Sequence, residues 1–385
     1  MSKQQLELLN RAFKLLDSAV SPQDFTLILH FDESPSAEAL QAGAKSAGER
    51  FGAAARIETP LDLEGFVNRS FDLRPGYPIK QALIGATLAT RFHHVAADGL
   101  SAALWLGHQL GVAHGLTPPA NSAELSLRRA KTSVRRSQFA YDRACDPLWT
   151  PARSTRTGKR RWTTFSFPAT DLRQACRRKG GFTYSDLLAA CTLEVYRRWN
   201  ESHGQNGTRR VRPAKVGIWL PMNIRSRSFE GFGNGTSRVR LYARYAASAS
   251  LVEKAREVRR QVSWTTEHGE WAVPEIPLFN QLPGWITGPL LRRYLNRPSV
   301  DMATGVFSHA DRWAGRAAEA FEHVDRIECI GLLHPRQNLA INAATHQGQT
   351  WMTFTYDTGL LNAGEVDQLV EIYKQQIAVA RDELL

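Results

Sequence analysis

Between about residues 116 and 158 the chain turns rich in Pro, Ser and Arg and poor in apolar positions, so it divides into two halves joined by a crossover linker. Both halves read with the same grammar of strands and helices. In the first, a helix over 3–18 precedes a strand "DFTLILHF" (24–31) and a helix over 36–51. "YPIKQALIGATLATRF" (77–92) then reads as one or two strands, followed by a helix over 100–112. The second half opens with a strand over 161–168 and a helix over 169–180, closed by Gly180–Gly181. An amphipathic helix over 183–201 follows, where Thr183 and Asp186 resemble a capping box. Next come a strand (215–224), a glycine-rich turn (229–237), a strand (238–245) and a helix (250–262). Two alternating runs (337–346 and 350–357) and a final helix (363–380) close the chain. Irregular alternation of this kind predicts α/β or α+β sheet layers. No G-x-G-x-x-G follows a strand and no G-x-x-x-x-G-K-[ST] loop is present, so a doubly wound dinucleotide fold is not expected. The expected division is an N-terminal lobe (1–118), a basic linker (119–158) and a C-terminal lobe (159–385).

The 385 residues, 43% apolar and 22% charged, suit one large or two ordinary folded domains. No segment approaches the roughly 18 uncharged apolar residues that span a bilayer. The start, "MSKQQLELLNRAF", lacks a signal-peptide core. Cys145, Cys176, Cys191 and Cys329 are scattered without a C-x-x-C pair, which fits reduced thiols and a cytoplasmic location. The net charge of +12 asks for an acidic partner: nucleic acid, anionic membrane, the phosphates of coenzyme A or an acidic carrier protein. The basic runs at 126–137 and 152–162 lack the aromatic interleaving of a single-strand binder and any helix-turn-helix or zinc-finger frame. They read as a solvated connector, and no nucleic-acid partner is expected.

The stretch "TRFHHVAADGLS" (90–101) is where chemistry concentrates. A histidine placed where an apolar strand gives way to a tight loop can aim a ring nitrogen into a cleft, and its pKa near 6.5 makes it a usable base at neutral pH. Asp98 reads as a carboxylate suited to a bidentate arginine. Gly99 reads as a residue permitting a backbone geometry that a larger one would strain. Competing readings are a satisfied polar group at a strand end, a loop anchor at His93, and metal ligation. With no H-E-x-x-H helix and no third ligand at diagnostic spacing, no metal is expected.

"HHVAADG" (93–99) resembles the HHxxxDG signature of nonribosomal peptide synthetase condensation domains. It also resembles the broader HxxxD signature of chloramphenicol acetyltransferase-like acyltransferases, including the BAHD and wax ester synthase enzymes. "FDLRPGYPIKQALI" (71–84), "KGGFTYSDLLAACTLEVYRRW" (179–199), "LPMNIRSR" (220–227), "FEGFGNG" (229–235) and "TFTYDTGLL" (353–361) resemble further family phrases. The BAHD "DFGWG" phrase is absent; "ATGVFSHADRW" (303–313) stands nearest to it.

The resemblance implies two chloramphenicol acetyltransferase-like lobes, each a mixed sheet with packed helices, and an active-site channel between them. It implies acyl transfer from a phosphopantetheine thioester, as acyl-coenzyme A or acyl carrier protein, to a hydroxyl or amine, with no permanently bound cofactor. His94 would be the general base, with Asp98 and Gly99 completing the catalytic motif. His93 and Arg225 would support the site, Arg225 by pairing with Asp98. Gly233, Asn234 and Ser308 are tunnel or oxyanion candidates. The alternatives are a stand-alone condensation enzyme acting on carrier-bound chains and a catalytically silent carrier-docking module. "WAVPEIPLFNQLPGWITGPLL" (271–291), with Phe279 and Trp285, could line an acyl pocket, touch a membrane or pack on the core.

Overall fold

Two mixed sheets carry the chain. The structure is a computed structural model describing residues 3–33, 35–60, 62–71, 73, 78–117, 125, 127–128, 137–152, 154–203, 214–226, 231–271, 282–300, 302–311 and 315–385. The first sheet contains β1 (Asp24–Phe31), β2 (Ala55–Glu58), β3 (Ile79–Ile84), β4 (Thr87–His93) and β9 (Val324–Ile330), in the order β2-β3-β4-β1-β9. The run at 77–92 is two strands: β3 and β4 pair antiparallel, with Ile84 opposite Thr87, and Gly85 turns the chain at φ 57°. The second sheet contains β5 (Arg160–Pro168), β6 (Gly217–Asn223), β7 (Thr236–Tyr242), β8 (Gly305–Ala310), β10 (Leu339–His346) and β11 (Gln349–Asp357), in the order β5-β11-β10-β8-β6-β7.

The helices are α1 (Lys3–Leu16), α2 (Ala37–Phe51), α3 (Leu63–Asn68), α4 (Gly99–Ala113), α5 (Thr170–Lys179), α6 (Tyr184–His203), α7 (Leu251–His268), α8 (Gly284–Leu295) and α9 (Ala363–Leu384). Their ends are fixed by capping chemistry. Ser250 and Glu253 form a reciprocal capping box on α7, as do Asn362 and Glu365 on α9. At α6 the Thr183 amide and hydroxyl both donate to Asp186 Oδ2 at 2.6 Å, and the Asp186 amide donates back to Thr183 Oγ1 at 3.3 Å. In the first lobe Leu27, Leu29 and Phe92 bury against Trp105, Leu106 and Leu110 of α4. The larger second core centres on α6, whose Leu187, Leu193 and Trp199 pack with Phe354, Leu369 and Tyr373. Each such side chain contributes roughly 1.5–3 kcal/mol on burial.

The second half of the chain returns β9 to the first sheet, where Leu29 lies opposite Ile327 and Thr26 opposite Ile330. The outer edge of β9 meets the second sheet: Cys329 N and Gly331 N donate to Thr353 Oγ1 and Thr355 Oγ1 of β11, at 3.3 and 3.1 Å. An edge that would otherwise present unpaired amides is thereby covered. A buried ion cluster adds a second stitch. Arg160 of β5 and Arg91 of β4 donate to Asp24 Oδ2 of β1 at 2.9 and 3.0 Å. Burial alone would raise the Asp24 pKa, but the two guanidinium groups outweigh it and bring the carboxyl down to about 2.

Several expectations fall on chain outside the described residues: Phe279, the basic run at 129–136, and Phe229–Glu230 of the glycine-rich turn. Within 271–291, Trp285 lies on α8 and is 78% exposed, so it neither packs on the core nor lines an enclosed pocket. No helix among the described residues is long and apolar enough to cross a membrane.

Candidate active site

The buried strand β4 delivers His93 and His94 to its end, and a tight turn follows in which Ala96 N and Ala97 N donate to His93 O at 2.9 and 3.2 Å. Helix α4 then starts at Gly99 with Asp98 as its N-cap. Two consecutive residues at a strand end point to opposite sides, and the pair divides its roles accordingly. His93 is buried: its Nδ1 accepts from Val95 N at 3.2 Å, and Phe71 packs edge-on at 5.5 Å. Its Nε2 lies 3.5 Å from Asp17 Oδ2, within ion-pair range but unaligned for a hydrogen bond.

His94 keeps partial solvent contact. Its ring stacks on Phe13 of α1, with centroids 4.9 Å apart and planes 15° apart, and tilts against Phe25 at 4.8 Å. Its Nδ1 is buried without a hydrogen-bond partner among the described residues. The backbone is held from both lobes: His94 N donates to Gln23 O at 3.1 Å, and Asn234 Nδ2 donates to His94 O at 2.9 Å. Burial lowers the His94 pKa from 6.5 to about 4; the negative charges of Asp98 and Asp24 oppose that shift and the charge of His93 assists it. The ring is therefore neutral at pH 7.

Asp98 and Arg225 form the hub that fixes this loop. Arg225 donates through Nη1 to Asp98 Oδ2 at 2.7 Å and through Nη2 to Oδ1 at 2.8 Å, a bidentate pair with both side chains buried. The carboxylate also accepts from Ser101 N at 2.9 Å, Gly235 N at 2.8 Å and Thr236 Oγ1 at 2.7 Å. Burial would raise its pKa, and Arg225 with these donors holds it below the ordinary value instead. Arg225 completes its bonding at Gly231 O, Asn223 Oδ1, Ser101 Oγ and Gly233 O. The guanidinium lies so close that a Cβ at Gly235 would stand 2.7 Å from Arg225 Cζ, so this position admits only glycine.

The strain expected at Gly99 is absent. Gly99 is the first residue of α4, does not have a positive φ, and a Cβ there would meet nothing within 4 Å. Its missing side chain leaves open space at the helix start; the turn does not demand it. Gly233 serves the hub through its backbone, donating to and accepting from Ser101 Oγ. Asn234 is buried, and its amide donates to His94 O and, at 3.4 Å, to Asn10 Oδ1. Ser308 sits half-buried on β8 opposite Asn342 and makes no hydrogen bond to His94, Asp98 or Arg225.

Residues that sequence reading missed are Ser101 of α4, the adjacent Gly235 and Thr236 at the start of β7, and Asn10 and Phe13 of α1, all of ordinary type. Among the described residues no three His, Cys, Asp or Glu side chains are grouped to hold a metal ion. A surface cleft of about 440 Å³ lined by Glu64, Trp162 and Tyr356, among others, shares no residue with this constellation.

No family model and no curated protein matches the sequence. Solved structures do resemble it. The first condensation domain of the CDA synthetase superposes with a TM-score of 0.64 at 13% identity, covering 100% of this chain and 96% of that one. TRI3 trichothecene 15-O-acetyltransferase from Fusarium sporotrichioides gives 0.62 at 12% identity, covering 96% and 94%. A mutant of the starter condensation domain of rhizomide synthetase RzmA, in complex with C8-CoA, gives 0.58 at 12% identity, covering 99% and 94%. Identities this low speak for architecture alone. The chain has the two-lobed fold seen in these condensation domains and in the acetyltransferase.

Proposed function

We propose that this protein transfers an acyl group from a phosphopantetheine thioester to a hydroxyl or amine acceptor, with His94 as general base. The observation that carries the proposal is a neutral, partly accessible imidazole at the junction of the lobes, on a loop fixed by a buried Asp98–Arg225 pair. With Nδ1 buried, an acceptor meets the ring from its Nε2 edge. Nε2 takes the proton as the acceptor oxygen or nitrogen attacks the thioester carbonyl carbon. The tetrahedral intermediate then expels the thiolate as the C–S bond breaks, and the imidazolium returns the proton to sulfur. An ester or amide and a free thiol result, without an acyl-enzyme. Asp98, Arg225 and Asn234 act as positioning residues in this scheme.

The donor is assigned to the class that contains acyl-coenzyme A and acyl carrier proteins, since both end in the same thioester arm. The complex of the rhizomide synthetase starter domain with C8-CoA supports including the former. Octanoyl-coenzyme A tested beside the octanoyl group on a carrier protein separates the two in one turnover assay. His94→Ala is expected to lower turnover by about 10²- to 10⁴-fold, the usual worth of a positioned base, with an unchanged circular dichroism spectrum. Full activity in that variant would end the mechanism.

A further inference from the structure

Strand β7 presents two faces of different character. Ser237, Val239 and Leu241 are buried on one side, Val239 and Leu241 in the core of the second lobe, while Thr236 and Arg238 project from the other. Thr236 bonds to Asp98, so this second face looks onto the β4–α4 loop of the first lobe. Arg238 follows two residues along the same face, about 7 Å up the strand.

Its guanidinium lies 3.9 Å over the ring of Trp219, the diagonal neighbour on β6, where Pro221 is the residue directly opposite. Trp219 in turn meets His334 edge-on at 4.9 Å, His334 lies 6.5 Å from Phe13, and Phe13 stacks on His94. A continuous row of rings therefore runs from the proposed base to Arg238.

Among the described residues the Arg238 side chain has no hydrogen-bond or ion-pair partner, and it is exposed to solvent. Surrounding protein nonetheless lowers its pKa to about 10, with like-charged Arg240 assisting. Burial holds the His334 pKa well below its ordinary value, and the positive charges of Arg238 and Arg156 push the same way. Arg156 is committed to Leu333 O and Gln337 O at 3.2 and 2.7 Å. Trp219 Nε1 is buried with no hydrogen-bond partner among the described residues. A cation preset on an aromatic face, with no counter-charge among the described residues, is suited to receive an anion.

We infer that Arg238, seated on Trp219 beside His334, is an anion-recognition site that holds an oxyanion of one substrate on its way to His94. The inference rests on the acyl-transfer reading for the direction of approach, and the oxyanion is either the phosphate of the pantetheine arm or a carboxylate of the acceptor. A charge-assisted contact of this kind favours the charged ligand by about 10- to 100-fold over its neutral counterpart.

Isothermal titration calorimetry on the whole chain tests this with two matched pairs of probes. The first pair is 4′-phosphopantetheine and pantetheine; the second is N-octanoylglycine and its methyl ester. One pair is expected to show the charged member binding at least tenfold more tightly, and the pair that does so identifies the source. Arg238→Gln should bring that ratio to near unity, while Arg238→Lys keeps part of it, with melting temperatures unchanged. No preference in either pair, or a preference that survives Arg238→Gln, overturns the inference. Turnover is not the readout, so the two readings fail separately. Loss of preference in Arg238→Gln from a protein that transfers no acyl group would retain the anion site and discard the chemistry.

Discussion

The Asp98–Arg225 pair invites a quantitative test because it is buried, bidentate and shared between the lobes. Asp98→Ala removes a carboxylate that accepts from Arg225 twice and from Ser101 N, Gly235 N and Thr236 Oγ1. It leaves a guanidinium that is 0% exposed without its counter-charge. Breaking one side of a buried pair costs about 3–5 kcal/mol, and the lost N-cap of α4 about 1 more. The two losses overlap, so about 4–5 kcal/mol is expected. With an unfolding entropy near 2.1 cal/mol/K per residue, a chain of 385 residues loses about 5–6 °C in melting temperature for that amount. Arg225→Met should cost a similar amount by stranding the carboxylate. The double variant carries neither buried charge and should be more stable than the sum of the singles predicts, by about 2 kcal/mol. Differential scanning calorimetry on the four proteins reads the cycle. Additivity within about 0.5 kcal/mol, or single losses under about 1 kcal/mol, would refute the idea that this pair holds the catalytic loop.

Two further outcomes concern the site directly. His94 has its pKa lowered to about 4, so the neutral base is present throughout the range from pH 5 to 8 and disappears only as pH falls through about 4. The acid limb of kcat/KM should therefore lie well below 6.5, and a limb at 6.5 that is absent in His94→Gln would show the ring to be solvated instead. The same depression means that the unfolded chain binds this proton more readily than the folded one, so folding stability falls as pH drops from 6.5 towards 4. Gly99→Ala should leave the melting temperature within about 1 °C, since the added methyl meets no neighbour, while KM rises for the substrate that uses the space at the start of α4. A large loss of stability would return Gly99 to a backbone role.

Much of the fold is legible in the sequence because most elements obey one period and carry their own caps. The β3–β4 hairpin, the capping box before α6 and the closing pair β10–β11 all announce themselves locally. Strand β9 does not. In "VDRIECI" the residues Asp325, Arg326 and Glu328 break the apolar run, and no strand is read there. Glu328 is nonetheless buried, accepting from Trp162 Nε1 at 2.9 Å and Thr164 Oγ1 at 3.2 Å, with His30 Nε2 at 3.1 Å. Arg326 pairs with it from two positions away, but the other partners that make a buried carboxylate tolerable lie about 160 and 300 residues away in sequence, beyond any local pattern. The short strand β2 and Pro289 inside α8 escape the reading because four residues carry too little periodicity and proline is a breaker. At the site, His94, Asp98 and Arg225 stand in a motif and were visible. Ser101, Gly235 and Thr236 are ordinary residue types whose importance arises only once Arg225 has been folded against them.

The return of β9 to the first sheet has a bearing on how the protein can be taken apart. A chain cut in the crossover segment would yield a front piece whose β1 kept β4 but had lost β9, with a bare strand edge ready to recruit any other chain. The rear piece would keep an orphaned ribbon with no sheet to join. The two halves are clasped like interlaced fingers, so reassembly from separately expressed pieces would have to restore that handshake before any chemistry could begin.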